Sequence, residues 1–497
     1  MKKILVLSLT LAVLCLSLAG CSDNNDSKKP VLNSTQQPEL SGTQPLELPE
    51  SAVELNSEIN RGNLLEQLME IEKKYQQNPD DKTITLDYAE KLFQLGDFSK
   101  SQETIKSLLN DEKPSPQAIY LSANIEYLTG NYSQSEVLFG MLIEQYPDEY
   151  KTSAEVGLLF TYYQTNQYQK SQNLFEGLEG QIELPLWDFM KGFGDEVPYQ
   201  IDWNGNDEVT VPFLSSKPVP IVPIEINGKK VNAAIDNGGD AFIIDDVMAH
   251  SLGINSITAF EGDFSGGEKS EVGYGRANTL VIGGVTLKSV PVMLGQPSEA
   301  FRNDEFDIDG IIGTQVLKQF LPTIDYLSGQ LILRPRNEVG KNALKTELAQ
   351  DKMVAEQPFT LAATHYMISK GSINGMDGFN IFVDSGLDDW ESKAALALPK
   401  ETMDYIGIDL PEMEDFPEDI PGGMGGADYQ IGRYDVNMLN IGSAQMNNTG
   451  GVYGTFSSEL YYNDLFGFLI DGMVGDLFVS NYKWTIDFDA MTMIFSQ

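Results

Sequence analysis

One short pattern occurs twice in this sequence, and it constrains the fold more than any other feature. The first copy runs from Ile-Asp-Asn-Gly at 235–238 to Asp-Gly-Ile-Ile-Gly at 309–313, and the second runs from Val-Asp-Ser-Gly at 383–386 to Asp-Gly-Met-Val-Gly at 471–475. In each copy a carboxylate follows an apolar strand, on a turn that glycine permits. Two such carboxylates placed face to face can share one proton and activate a water molecule.

The repeat extends beyond these motifs at a constant spacing. Gly313 and the segment Thr-Ile-Asp-Tyr at 323–326 recur 162 residues later as Gly475 and Thr-Ile-Asp-Phe at 485–488. Ordered matches of this kind predict two structurally similar halves within one chain. The two carboxylates can therefore meet without a second copy of the protein.

The composition excludes several classes of function. The chain has 497 residues, a length typical of about three domains, and a formal net charge of −40. Such acidity makes nucleic acid and anionic membrane surfaces poor partners. Only two histidines are present, so neither a metal cluster nor a Ser-His triad is expected, and we expect no cofactor.

The first 20 residues have the layout of a secretory signal. Lys2 and Lys3 precede an apolar run at 4–18, which is too short for a stable membrane span. We therefore expect residues 1–20 to be removed.

The end of this segment, Leu-Ala-Gly-Cys at 18–21, resembles the lipobox of bacterial lipoproteins. The resemblance implies cleavage before Cys21, a lipid on its thiol and, with Ser22 following, an outer-membrane lipoprotein facing the periplasm. An ordinary secretory signal with an incidental cysteine is the alternative. The polar segment 21–58 is predicted to be a flexible tether, which leaves the lipid as the only membrane contact.

Residues 59–180 show a second, helical repeat. Gly-Asp-Phe at 96–98 recurs as Gly-Asn-Tyr at 130–132, and Ser101 recurs as Ser135, both 34 residues later. This period resembles that of tetratricopeptide repeats, which predicts about three helix pairs in an all-α array. Two roles stay open, a groove that binds a protein partner or substrate and a structural spacer.

The remaining chain reads as β structure. Residues 181–217 are interpreted as a junction, after which the apolar period shifts towards two and hairpin signals appear, such as Asn-Gly at 227–228 and at 374–375. We predict two all-β lobes, at 218–340 and 341–497.

This β region resembles aspartic proteases of the retropepsin and pepsin clan, with both lobes in one chain. The resemblance rests on the Asp-x-Gly turns and on the downstream apolar-apolar-Gly strands, each followed by a Thr-Ile-Asp-aromatic strand. It implies that Asp236 and Asp384 are a catalytic pair acting on a peptide or protein substrate. The ionised partner would activate a water molecule and the protonated partner would stabilise the developing oxyanion.

The resemblance also implies that Asn237, Gly238, Ser385 and Gly386 shape the two catalytic loops. The family places a hydroxyl after each catalytic Asp, because paired Thr or Ser side chains cross-link the loops. Ser385 meets this pattern and Asn237 does not. The amide of Asn237 can both donate and accept hydrogen bonds, so it either replaces the cross-link or displaces the loop.

Four further residues are candidates for substrate binding. Asp240 stands where retropepsins place an acidic residue that holds the substrate backbone, and Asp388 occupies the same place in the second copy. Tyr274 and Tyr429 are candidate aromatic residues of a flap that covers the substrate. Either lobe could carry that flap.

Three functions fit these observations. The first is an envelope-anchored aspartic endopeptidase whose helical repeats position a partner or substrate. The second is a pseudoprotease that binds peptides without cutting them, and the third is an assembly lipoprotein that works through its repeats. The effect of Asn237 on its loop decides between the first two functions, protease and pseudoprotease.

Overall fold

The computed structural model describes residues 60–497 apart from 177–183, 264–268, 298–300, 302, 304, 389–392, 416–429 and 455–465. The predicted signal, Cys21 and tether lie outside the described residues. Within the described ranges, no helix has both the length and the apolar character needed to cross a bilayer.

The first part of the described chain is helical, as the sequence predicted. Its helices are α1 (Arg61–Gln77), α2 (Lys82–Gln94), α3 (Phe98–Leu109), α4 (Pro116–Leu128), α5 (Tyr132–Gln145), α6 (Pro147–Gln164), a 3-10 helix (Tyr168–Asn173) and α7 (Pro185–Lys191). Side-chain caps fix where several of them begin. Asp81 accepts hydrogen bonds from the Thr83 and Ile84 amides at the start of α2, and Ser115 caps α4 just before a proline.

The 34-residue period has a direct structural counterpart. The Ser101 hydroxyl on α3 donates to the Ala89 carbonyl on α2 over 2.8 Å, and the Ser135 hydroxyl on α5 donates to the Ala123 carbonyl on α4 over 3.0 Å. Each serine is buried between its paired helices. Small side chains at these positions let the helices approach closely, and the hydroxyl adds a bond that alanine could not make.

The second part of the chain is rich in β structure. Its strands are β1 (Gln200–Asp202), β2 (Val209–Pro212), β3 (Ile221–Ile226), β4 (Lys229–Ile235), β5 (Phe242–Asp245), β6 (Ser256–Asp263), β7 (Lys269–Ile282), β8 (Val285–Gly295), β9 (Gly310–Ile312), β10 (Leu321–Asp325), β11 (Gln330–Arg334), β12 (Met353–Ala362), β13 (Tyr366–Ile373), β14 (Met376–Val383), β15 (Ala394–Ala397), β16 (Met413–Asp415), β17 (Gln430–Ile441), β18 (Ala444–Tyr453), β19 (Gly472–Val474), β20 (Lys483–Asp487) and β21 (Thr492–Ser496). Short helices join them: α8 (Asp246–Ser251), α9 (Thr314–Leu317), α10 (Glu338–Leu348), α11 (Lys400–Ile406) and α12 (Asp476–Val479).

The two lobes repeat one strand arrangement. In lobe 1, β9 lies between β4, to which it is parallel, and β5, to which it is antiparallel. In lobe 2, β19 lies in the same way between β14 and β15. Gly313 and Gly475 follow these central strands, and a Cβ on either would overlap main-chain oxygens of the neighbouring loop. Glycine is therefore required where the chain crosses behind each predicted catalytic loop.

A shared sheet joins the lobes. Strands β10 and β20 pair antiparallel across the lobe boundary, and strand β12 pairs with β21 beside them. Thr323 and Thr485, the residues related by 162 positions, face each other with hydroxyl oxygens 2.6 Å apart. An apolar core continues through this sheet from one lobe to the other.

The helical region packs directly on both lobes through the turns of its repeats. Gly96 lies against the Asn380 amide and Gly130 lies against Met491. The third turn continues the pattern, because the Asn166 amide donates to the Gln319 side chain over 2.9 Å. One face of the helical array is therefore packed against the lobes. In agreement with these contacts, most residues of α4 and all residues of α6 from Gly157 to Gln164 are buried.

The β structure begins earlier than position 218. Strand β1 pairs with β8 of lobe 1 and β2 pairs with β11 of the shared sheet, so part of the expected junction belongs to the lobes. These strands are only three and four residues long. Segments this short are too brief to show a period of two in the sequence.

Candidate active site

Asp236 and Asp384 lie on equivalent loops that face each other at the lobe boundary. The Asp236 amide donates to the Ile312 carbonyl over 3.1 Å, and the Asp384 amide donates to the Val474 carbonyl over 2.9 Å. The apolar-apolar-Gly strands thus hold both loops by the same bond.

The glycines of the two motifs bring the carboxylates together. A Cβ on Gly238 would overlap the Asp384 carboxylate, and a Cβ on Gly386 would overlap the Asp236 carboxylate. The Gly238 amide also donates to Asp236 Oδ1 over 2.7 Å, and the Gly386 amide donates to Asp384 Oδ1 over 2.8 Å. Each glycine therefore orients its own carboxylate and leaves room for the opposite one.

The side-chain amide of Asn237 cross-links the two catalytic loops, which is one of the two outcomes that the sequence allowed. Its Nδ2 donates to the Val383 carbonyl over 2.6 Å, and its Oδ1 accepts from the Ser385 amide over 2.7 Å. In return, the Asn237 main-chain amide donates to Ser385 Oγ over 3.1 Å. Both side chains are fully buried. Asparagine suits this position because one side chain supplies both the donor and the acceptor.

The pKa of each of the two aspartates depends on the other. Burial, then the charge of Asp236, raises the pKa of Asp384 well above its usual range. Burial also raises the pKa of Asp236, against hydrogen bonds from Gly238 and from Asp384. Two carboxyl groups in hydrogen-bond contact need one proton between them, so the pair holds a single proton over a pH range above the usual carboxyl pKa.

Asp240 is engaged by the helical region. Its side chain is buried, and its Oδ2 accepts from the Tyr163 hydroxyl of α6 over 2.9 Å and from the Tyr274 hydroxyl over 3.5 Å. Burial raises the pKa of Asp240 to about 7, against the hydrogen bonds that it accepts and the nearby Lys318 ammonium. The carboxylate that was expected to hold a substrate is bonded to the protein itself.

Asp388, the equivalent of Asp240, lies in a different setting. It is half-buried, and it lies close enough to Asp476 at the start of α12 to raise the pKa of that carboxyl. Burial is the larger cause, and together they raise the pKa of Asp476 to about 7. The Lys217 ammonium lies 3.9 Å from Asp476.

Comparison with known proteins gives a family match in the region that contains Asp236. A sequence model of the Aspartyl protease family matches residues 222–316, which include the first dyad loop, β9 and all but the last residue of α9. This part of the chain is similar to that family. A retropepsin-like aspartic protease from Rickettsia conorii is similar to it at 16% identity and a TM-score of 0.19, over 27% of this chain and 91% of that one. No curated protein matches the chain.

The predicted flap residues fall in two places. Tyr274 lies on β7, in the hairpin that β6 and β7 form, but its ring is buried between Phe189 of α7 and Phe260, with centroids 4.6 and 5.2 Å away. It packs against the helical region instead of facing an open cleft. Tyr429 lies outside the described residues, as does the glycine-rich segment 421–426.

Sequence reasoning missed the residues that join the helical region to this domain. Tyr163, Gln164 and Lys318 make buried polar contacts near the dyad loops, yet they are far apart in sequence and belong to no motif. The one available signal was an excess of polar and aromatic residues at the end of α6. Among the described residues, no group of three or more His, Cys, Asp or Glu side chains is placed to hold a metal ion.

Proposed function

We propose that this protein is an aspartic endopeptidase that hydrolyses peptide bonds with Asp236 and Asp384. The observation that carries the proposal is the mutual approach of the two carboxylates, each oriented by its own glycine amide. The completed Asn237 cross-link supports it further, because the loop that departs from the family motif is held as firmly as its partner.

In the proposed reaction, the dyad begins with one proton. The ionised carboxylate takes a proton from a water molecule, whose oxygen bonds to the scissile carbonyl carbon. The protonated carboxyl donates a hydrogen bond to the carbonyl oxygen as negative charge develops there. The C–N bond then breaks, the leaving nitrogen takes a proton, and the dyad returns to its singly protonated state.

The proposal extends to location and partners. The resemblance of residues 18–21 to a lipobox supports an envelope lipoprotein, attached through lipid on Cys21 and facing the periplasm from the outer membrane. A protein partner at the helical repeats would use the face turned away from the lobes. Val137 on α5, 60% exposed, lies on the surface of that region.

The experiment is a digest of a proteome-derived peptide library, read by mass spectrometry. Wild type should give new termini, and Asp236→Asn and Asp384→Asn should each give none. The matched control is Asp435→Asn, because Asp435 is an exposed carboxylate of lobe 2, on β17. Folded wild type that cuts no peptide would favour the pseudoprotease or the repeat-based assembly protein.

A further inference from the structure

The turn that carries Asp236 is held by main-chain bonds to the start of helix α9. The Thr314 amide donates to the Gly239 carbonyl over 2.8 Å. The Gln315 amide donates to the Asp240 carbonyl over the same distance. The Gly239 amide closes the turn by donating to the Asp236 carbonyl over 3.2 Å. Asp240 and the dyad residue Asp236 therefore belong to one hydrogen-bonded turn, and a bond to the Asp240 side chain restrains the Asp236 loop as well.

The side chain of Asp240 is bonded to the helical region. The Tyr163 hydroxyl of α6 donates to Asp240 Oδ2 over 2.9 Å, and the Tyr274 hydroxyl of β7 donates to the same oxygen over 3.5 Å. Tyr163 is 1% exposed and Asp240 is 4% exposed, so the shorter of these two bonds lies away from water. Loss of such a buried bond is costly because water does not replace the missing donor.

Tyr163 projects from a part of α6 that is bonded to both lobes. The next residue, Gln164, donates from its side-chain amide to the carbonyls of Ala363 and Thr364 in lobe 2, each over 2.9 Å. The Gln164 carbonyl accepts from the buried Lys318 ammonium of lobe 1 over 2.7 Å. The main chain beside Tyr163 is therefore fixed relative to both halves of the β region, and the hydroxyl is held at a defined position.

The dyad leaves little room for movement of the lobe 1 loop. The Gly238 main chain passes so close to the Asp384 carboxylate that a Cβ on the glycine would overlap it. The Gly238 amide also orients Asp236 by donating to its Oδ1 over 2.7 Å. A shift of the loop would change both relationships, and a misplacement of about 1 Å can lower a rate by about 100-fold. Whatever holds this loop therefore contributes to the geometry of the dyad.

We propose that Tyr163 is a positioning residue for the dyad, which keeps Asp236 in register with Asp384 by fixing the Asp240 carboxyl group. This inference rests on the proposed function and makes the helical region a part of the catalytic unit. It adds a third role to the partner groove and the spacer that the sequence allowed. Because Tyr163 acts on the loop through Asp240, its removal changes the rate of the chemical step more than the binding of the peptide.

The first test measures kcat and KM separately in the full chain. Tyr163→Phe removes the hydroxyl and keeps the ring, which stacks on Tyr168 with the centroids 5.6 Å apart. We expect kcat to fall by at least about tenfold while KM changes by less than about twofold. An unchanged kcat, or a change in KM alone, would overturn the proposal.

Tyr150→Phe is the matched control for the loss of a buried hydroxyl. Tyr150 is another buried tyrosine of α6, and its hydroxyl has no hydrogen-bond partner among the described residues. This variant should keep the wild-type kcat. An equal loss of kcat in Tyr150→Phe and Tyr163→Phe would overturn the proposal, because the bond to Asp240 would then have no particular effect.

A double-mutant cycle tests whether Tyr163 acts through Asp240. In Asp240→Ala the acceptor of the Tyr163 hydroxyl is gone, so adding Tyr163→Phe should lower kcat by less than about twofold further. A further loss as large as that of Tyr163→Phe in the wild-type background would show that the hydroxyl acts elsewhere, and would overturn the proposal.

Hydrogen exchange of the loop amides separates failure of this inference from failure of the proposed function, because it requires no cleavage. In Tyr163→Phe the amides of residues 237–239 should exchange at least about fivefold faster than in wild type, while those of the paired strands β10 and β20 keep their rates. Unchanged exchange in the loop, or equal acceleration in loop and sheet, would overturn the positioning role. If wild type cuts no peptide and only the loop exchanges faster, the proposed function fails and the positioning of Asp236 stands.

Discussion

Asn237 and Ser385 hold each other's main chain across the boundary between the lobes. The main-chain amide of Asn237 donates to Ser385 Oγ over 3.1 Å, and the main-chain amide of Ser385 donates to Asn237 Oδ1 over 2.7 Å. The two side chains differ, yet each accepts a bond from the loop of the other. The dyad loops are therefore coupled even though the two copies of the motif are unequal.

Asn237→Asp should make the stability of the protein depend on pH. A protonated carboxyl can donate to Val383 and accept from Ser385 as the amide does, but a carboxylate cannot donate. The folded state would raise the pKa of the new carboxyl, so the variant should approach wild-type stability near pH 4 and lose stability as pH rises towards 8. Denaturant unfolding at several pH values measures this. A constant difference from wild type would contradict the assigned bonds.

Asn237→Thr should not raise activity. Because the asparagine already makes the cross-link, the family residue restores nothing that is missing. Asn237→Ala is the contrasting variant, since it leaves the Val383 carbonyl and the Ser385 amide without partners, at about 1–3 kcal/mol each. Cleavage rates and unfolding curves of both variants check this. A large gain of activity in the threonine variant would indicate that the natural loop is displaced.

Gly238→Ala and Gly386→Ala should each abolish cleavage while the protein still folds. In either variant the new methyl group would overlap the carboxylate of the opposite lobe and push the dyad apart. We expect kcat/KM to fall by at least about 100-fold. Gly140→Ala in α5 is the control, because a Cβ there meets no atom within 4 Å. Near-normal rates in the two loop variants would refute the close approach of the carboxylates.

Arg61→Ala should destabilise the whole molecule. The Arg61 guanidinium forms a buried ion pair with Asp471, whose carboxylate also accepts from the Asn380 amide over 2.6 Å. Removing the arginine leaves a buried charge, at a cost of about 3–5 kcal/mol. Lys82→Ala breaks an exposed pair with Asp111 and should cost no more than about 1 kcal/mol. Equal effects in the two variants would show that α1 is not fastened to lobe 2.

Asp476→Asn should remove part of the pH dependence of stability. Burial raises the pKa of Asp476 from 3.8 to about 7 in the folded protein, so the neutral form is favoured on folding. Its contribution is fully present below the unfolded pKa and is lost as pH rises to about 7. Relative to the variant, wild type should therefore lose on the order of 2–4 kcal/mol between pH 4 and pH 8. If the free energies of unfolding of wild type and Asp476→Asn changed with pH in parallel, the raised pKa of Asp476 would be contradicted.

The internal repeat made much of this architecture predictable. A helical region followed by a β-rich region is confirmed, and the 162-residue spacing predicts Thr323 and Thr485 as a matched pair, which the structure brings into contact. The 34-residue spacing likewise pointed to Ser101 and Ser135 as equivalent positions. Periodic features are readable because each copy supports the interpretation of the other. The assignment of the helices to tetratricopeptide repeats stays a prediction.

The sequence did not reveal how the helical region meets the lobes. The bond from Tyr163 to Asp240 spans 77 residues, and the bonds from Gln164 to lobe 2 span about 200. Contacts at such separation depend on how whole elements dock, and no local pattern encodes them. The same limit applied to Asn237, because its side chain has the right chemistry in isolation but its partners lie on the other lobe.

The pH profile of cleavage, measured on one fluorogenic peptide with wild type and Asp384→Asn, tests the central claim most directly. Because burial raises the pKa of both dyad carboxyls, wild type should gain activity as pH rises through a value above the usual 3.8 and lose it when the shared proton leaves. Asp384→Asn should be inactive at every pH. Activity that is flat between about pH 4 and pH 8, or that survives the substitution, would contradict catalysis by the Asp236–Asp384 pair.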